Sequence, residues 1–153
     1  GEHRWHSVRN GVAALSDGVE YVLIHDVARP FVSHAIIDDC IRTVIEKGPC
    51  IAAKPVTDTV KVVRDSMIIQ TIDRETVYLA QTPQAFSVTL LQKGYAALSD
   101  VTDFIPTDEA SIIEFIGEKV CIVTGDALND KITTQDDLSR LSQMVQERDG
   151  KGL

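Results

Sequence analysis

The sequence predicts an α/β fold: a sheet of short apolar strands with helices on both faces and one hairpin inserted into it. Three observations carry this. The apolar runs at 21–24, 50–53 and 120–123 are short and continuous, the pattern of strands covered on both sides. Segments with helical periodicity alternate with them. The stretch 57–75 breaks the alternation with two β-like runs, VKVV and MIIQTI, joined around Arg64-Asp65-Ser66.

The elements follow in order. Ser7 is placed to cap a helix over 7–16 that carries Val8, Val12 and Leu15 on one face. After the strand at 21–24, Ser33 caps a helix to about Lys47. Ile36, Ile37, Cys40, Ile41, Val44 and Ile45 recur there at helical spacing, and Gly48 stops it. The strand at 50–53 and the hairpin come next, then Asp73-Arg74 and the segment 78–84 with Pro83. A helix is expected over 90–98. Thr107 caps another, with Glu109 in its first turn and Gly117 at its end. After the strand at 120–123, Thr134 opens a last helix to about Arg148, with Asp136 and Asp137 in its first turn. The whole is expected to be one domain, 1–153, with 57–75 as an arm inserted in it.

Composition narrows the function. At 44% apolar, the chain can build a core. No apolar run approaches the roughly 18 residues of a membrane helix. The first residues, Gly1 to Trp5, are too polar for a signal peptide. Cys40, Cys50 and Cys121 lie far apart, which fits reduced thiols in a cytoplasmic protein better than a disulfide frame or a zinc site. The net charge of −8, with no basic cluster, argues against a nucleic-acid polymer as partner. It still permits a small phosphorylated ligand held by a few Arg and Lys side chains.

Four polar constellations stand out. In open α/β sheets ligands bind beyond the carboxyl ends of strands. The stretch His25-Asp26-Val27-Ala28-Arg29-Pro30 lies at such an end. Asp26 is a hard oxygen ligand suited to Mg²⁺. Arg29 could hold a phosphate, or simply brace a turn with Asp26. His25 fits a packed polar residue as well as an acid–base group. Thr57 to Lys61 and Asp73-Arg74 flank the hairpin and carry ordinary phosphate ligands, although polar residues at hairpin ends are usually solvated. Asn129 to Thr134 precedes a helix N-terminus, a favourable place for an anion, with Lys131 adding charge. Thr107-Asp108-Glu109 has a simple reading as a cap. The nine glycines are scattered, so no Gly-rich phosphate loop is present.

Six stretches in order carry a family resemblance: HSVRNG (6–11), HDVARPF (25–31), PVTDTVK (55–61), DRETVYLAQTPQAF (73–86), TDEASIIEFIG (107–117) and NDKITTQDDL (129–138). Together they resemble the 2-C-methyl-D-erythritol 4-phosphate cytidylyltransferases of non-mevalonate isoprenoid biosynthesis. The resemblance implies a Rossmann-like nucleotidyltransferase sheet with a β-arm that clasps a second subunit in a homodimer. It implies CTP and methylerythritol phosphate as substrates, with Mg²⁺ as cofactor.

By the same resemblance Asp26 serves metal, nucleotide and substrate hydroxyls, and Arg29 braces the pocket. Arg74 and Lys131 hold the substrate phosphate with Thr59 and Thr82, while Thr59 and Arg74 reach it from the partner's arm. Gly1 and Ser7 match positions near the cytidine. The family's Gly-rich loop would precede Gly1, so the sheet is expected to be incomplete at its N-terminal side and the chain alone inactive. Asp130 stands beside Lys131, where the family often has an apolar residue, and is expected to pair with it. Two alternatives stay open: a ribitol-5-phosphate cytidylyltransferase, and a fragment serving only in dimerisation. The expected compartment is the cytoplasm, with a plastid left open.

Overall fold

The computed structural model describes residues 3–98, 101, 103–137 and 139. Four strands form one sheet: β1 (Tyr21–Ile24), β2 (Cys50–Pro55), β5 (Tyr78–Ser87) and β6 (Cys121–Thr124), in the order β1-β5-β2-β6. β5 runs antiparallel to β1 and to β2, whereas β2 and β6 are parallel. The sheet is therefore mixed. A separate two-stranded sheet pairs β3 (Val60–Arg64) with β4 (Met67–Ile72).

Alternation along the strands divides the core in two, because successive side chains point to opposite faces. Val22, Ile24, Ile51 and Phe86 face one side, against α1 (Arg4–Ala13), α3 (Val88–Ala97) and α4 (Glu109–Phe115). Leu23, Cys50, Ala52, Ala85 and Val123 face the other, against Ile36, Cys40 and Val44 of α2 (His34–Glu46). The small residues Cys50, Ala52 and Ala85 are fully buried and let α2 lie close to the sheet. Helices cover both faces, as the sequence predicts. Gly48, at φ +105°, allows the turn that ends α2.

Several boundaries move. α1 begins at Arg4, so Ser7 lies inside it rather than capping it. The packing of Trp5 and Val8 on the core sets that start, while His3 makes no side-chain cap. β1 is half-buried because it lies at the edge of the described sheet. Ser87 caps α3, which starts at Val88, and Asp108 rather than Thr107 caps α4. Of the helix expected from Thr134, most lies outside the described residues.

The segment 78–84 grows into β5, a central strand despite Pro83. Proline cannot donate to a ladder and is normally kept out of central strands. Here the register explains it. Ile51 pairs with Gln84 but Ala53 pairs with Ala80, so Gln81, Thr82 and Pro83 bulge opposite Ala52. The missing N–H of Pro83 falls where the ladder is already interrupted.

The hairpin turns through Asp65 and Ser66, at φ +49° and +63°. Both central residues at positive φ make the turn type that matches strand twist. Val63, Met67, Ile68 and Ile69 on the hairpin are all more than half exposed.

Candidate active site

Two loops meet at the end of the sheet. One, 25–30, leaves β1. The other, 125–132, leaves β6. A backbone bond joins them: Ile132 N donates to Ala28 O at 2.8 Å. Arg29 adds a second tie, donating from Nη1 to Asn129 O at 2.8 Å and from Nη2 to Ala80 O at 3.4 Å. The β5 bulge holds the second loop from below. Gln81 Nε2 donates to Asp126 O at 2.9 Å, and Asn129 Nδ2 donates to Thr82 O at 2.8 Å. Gln81 and Asn129 are both buried, so these bonds form away from competing water. Gly125 lets the loop come this close: a Cβ there would lie 2.1 Å from Gln81 Oε1 and 3.3 Å from the Ala53 carbonyl carbon.

A cleft of about 250 Å³ opens over this junction, lined by Arg4, Asp26, Arg29, Thr82, Asp108 and Lys131 among others. Asp26 is its electrostatic centre. Arg4 Nε lies 3.1 Å from Oδ1, Lys131 Nζ 3.0 Å and Arg29 Nε 3.7 Å from Oδ2. Burial alone would raise the Asp26 carboxyl, but the bond from Lys131 and the charge of Arg4 outweigh it and hold Asp26 below its ordinary range. Around one carboxylate the cleft gathers three cations, an arrangement suited to an anionic ligand.

His25 is a bracing residue. Nε2 lies 3.0 Å from Arg29 O and Nδ1 lies 2.9 Å from Thr82 Oγ1. The carbonyl can only accept, so Nε2 carries the proton, and Nδ1 accepts from the Thr82 hydroxyl. That hydroxyl also accepts from Asp26 N at 3.0 Å. Thr82 thus lines the cleft while its hydroxyl fixes the Asp26 backbone.

Behind the cleft lies a buried charge, in a stretch whose sequence suggests only a helix cap. Glu109 has no exposed side-chain surface and receives Arg4 Nη1 at 2.5 Å. Burial pushes its carboxyl up, against the pull of Arg4. Asp108 meanwhile caps α4 through Ser111 N at 2.9 Å and takes Gln84 Nε2 at 2.8 Å. Arg4 therefore spans two carboxylates 83 residues apart, a role that its place in the polar stretch ahead of the expected helix over 7–16 gives no reason to suspect.

The structure thus brings Asp26, Arg29, Thr82 and Lys131 together. Ser7 is exposed on α1 and does not line the cleft, and Gly1 lies outside the described residues. Thr59 and Arg74 sit at the base of the hairpin, where Arg74 Nη1 donates to Thr57 O at 2.8 Å; neither lines this cleft within one chain.

Two expectations are corrected. Asp130 pairs with Lys54, whose Nζ lies 2.5 and 2.8 Å from its carboxylate oxygens, and not with Lys131. Asp130 is extended (φ −75°, ψ 151°), so neighbouring side chains diverge. The amides after Lys131 are not open to an external anion either. Asp137 Oδ2 accepts from Thr133 N at 3.0 Å and Thr134 N at 2.9 Å, bonds that hold its carboxyl at about 2.

Comparison with known proteins places this architecture. The family model IspD, 2-C-methyl-D-erythritol 4-phosphate cytidylyltransferase, matches residues 1–147. The enzyme of that name from Bacillus pumilus (strain SAFR-032) is 45% identical over 139 residues, 90% of this chain and 60% of that protein. The one from Syntrophus aciditrophicus is 42% identical over 153 residues, 99% of this chain and 64% of that protein. The crystal structure of 4-diphosphocytidyl-2C-methyl-D-erythritol synthase from Anaerococcus prevotii superposes with a TM-score of 0.86 at 35% identity, covering 94% of this chain and 67% of that one. That of the cytidylyltransferase from Thermus thermophilus gives 0.85 at 31%, covering 94% and 70%. The chain spans about 60% of the length of the first of these curated relatives. By the family match and the shared fold, the chain belongs to the 2-C-methyl-D-erythritol 4-phosphate cytidylyltransferase family.

Proposed function

We propose that the complete subunit containing this chain transfers the cytidylyl group of CTP to 2-C-methyl-D-erythritol 4-phosphate. A phosphate oxygen of the acceptor attacks the α-phosphorus, the bond to the β-phosphate breaks, and pyrophosphate leaves. The observation that carries the reading is the convergence of Arg4, Arg29 and Lys131 on Asp26 in one cleft, in a chain of this family. Lys131 is half-exposed and can exchange Asp26 for a substrate phosphate. Arg29, tied to Asn129 and Ala80, keeps the two loops at the spacing that exchange needs.

Magnesium fits this donor set as an ion with one protein carboxylate. No group of three or more metal-ligating side chains occurs among the described residues, and of the two carboxylates lining the cleft Asp108 is taken up by Ser111 N and Gln84, which leaves Asp26 as the hard oxygen ligand. Magnesium commonly takes one or two carboxylates and completes its shell with phosphates and water. When bound it would offset the triphosphate charge.

The hairpin is proposed to reach a second subunit. Its exposed Val63, Met67, Ile68 and Ile69 are more than an isolated ribbon can hide. Thr59 and Arg74 would then enter the partner's cleft. Gly1 and Ser7 are proposed to lie near the cytidine.

The test is a pyrophosphate-release assay on the full-length protein, with methylerythritol phosphate and ribitol 5-phosphate as competing acceptors and sedimentation alongside. Turnover of the first acceptor by a dimer is expected. A dimer that binds neither CTP nor either acceptor would overturn the reading in favour of a pure assembly module.

A further inference from the structure

Lys131 has an acidic neighbour in the chain, and the fold keeps that neighbour occupied. Asp130 is 59% exposed, so its carboxylate has room to turn. Across the second loop, Lys54 at the end of β2 closes on both of its oxygens, at 2.5 and 2.8 Å, and Gln81 Nε2 adds a contact at 3.4 Å. Lys131 points the other way, onto Asp26. The two lysines thus take one carboxylate each from opposite sides of the same loop. The field of Asp130 also reaches the cleft, because its charge acts on Arg29.

We propose that Lys54 is a positioning residue that holds Asp130 away from Lys131, so that Lys131 can hold a substrate phosphate. The inference rests on the reading of Lys131 as a phosphate-holding residue. With Asp130 59% exposed the Lys54–Asp130 pair is open to water on its carboxylate side, although Lys54 is only 23% exposed, and such a solvated pair contributes little to stability, which leaves its effect on the neighbouring lysine as its main consequence. Without Lys54, only the extended backbone at 130 and the long Gln81 contact keep the Asp130 carboxylate from Lys131, its nearest cation in sequence. An intramolecular carboxylate held that close competes with any dissolved anion.

The inference makes an epistatic prediction that a purely structural role does not. Lys54→Met should weaken binding of 2-C-methyl-D-erythritol 4-phosphate about three- to tenfold, the reach of one partly solvated charge. The melting temperature should stay within error and the KM for CTP unchanged. In the Asp130→Asn background, Lys54→Met should cost nothing further. Lys54→Arg should restore binding, since it keeps the partner for Asp130.

Isothermal titration calorimetry on the full-length protein decides it, using methylerythritol phosphate against Lys54→Met, Lys54→Arg, Asp130→Asn, the Lys54→Met/Asp130→Asn double variant and Lys131→Ala. If Lys54→Met binds normally while Lys131→Ala binds weakly, the inference fails and the reading of Lys131 survives. If the Lys54→Met loss persists in the Asp130→Asn background, Lys54 acts on the substrate itself and the inference also fails. If Lys131→Ala binds normally, both fall.

Discussion

Arg4 Nη1 meets Glu109 at 2.5 Å, and the Glu109 side chain has no exposed surface at all. A carboxylate buried so completely depends on its counter-ion, because removing one partner leaves an uncompensated charge in the interior. Arg4→Met should therefore destabilise the protein by about 3 kcal/mol. Glu109→Gln in the same chain should recover most of that loss. Urea unfolding of the two single variants and the double variant measures the coupling; additive losses would mean that the pair is not the cause.

Glu109 also gives stability a pH dependence. Burial raises its folded-state carboxyl above the ordinary Glu value of 4.5. A raised carboxyl contributes stability that is full below the unfolded value and is lost as pH rises through the folded one. Relative to Glu109→Gln, the parent protein should thus lose stability as pH climbs from about 4 toward neutrality. Urea midpoints of both proteins over that range check the sign. Parallel midpoints would show that Arg4 offsets the burial in full.

Gly125 should tolerate no side chain. The Cβ of Gly125→Ala would fall 2.1 Å from Gln81 Oε1, and Gln81 is buried and bonded to Asp126 O. The loop must then move or Gln81 must give up its bonds, at a cost of about 1–3 kcal/mol. Thermal unfolding gives the cost. The shift of amide resonances at Asp126 to Lys131 should show that the damage stays in this loop.

Asp26→Asn should change how the cleft treats anions. It removes the negative charge facing Arg4, Arg29 and Lys131. Binding of inorganic pyrophosphate without magnesium should tighten, roughly tenfold for about 1.4 kcal/mol of released attraction. The magnesium-dependent part of CTP binding in the full-length protein should disappear, since an amide is a poor ligand for a hard cation. Calorimetry with and without the metal separates the two effects. Unchanged magnesium dependence would remove Asp26 from the proposed metal site.

Arg74 and Lys131 give a test of the proposed arm exchange. Each charge-assisted contact to a phosphate should be worth roughly 1.5–3 kcal/mol, so either alanine variant should lose ten- to hundredfold in kcat/KM for the acceptor. Mixed dimers of Arg74→Ala and Lys131→Ala subunits should then recover up to half of normal activity, because one cleft in each receives both intact residues. Failure to recover after verified subunit exchange would place Arg74 in its own subunit's site.

Much of this fold was legible in the sequence because it is local. Apolar continuity marked the strands at 21–24, 50–53 and 120–123, and i, i+4 spacing marked α2 with its Ser33 cap. Two β-like runs around a short polar turn marked the hairpin. HDVARPF, at a strand end, pointed to Asp26 and Arg29 because a sheet of this class offers its strand ends to ligands. What lies between distant segments was not written there. Pro83 does not fit an unbroken central ladder, and only the register shift between Ile51 and Ala53 accommodates it in β5. Asp130 next to Lys131 suggested a pair, but an extended backbone turns neighbours apart and Lys54, 76 residues away, takes its place. Glu109 looked like a cap until packing buried it against Arg4. Secondary structure follows from periodicity and caps that a few consecutive residues carry, whereas the partner of a charge is chosen by which loops the sheet order brings together.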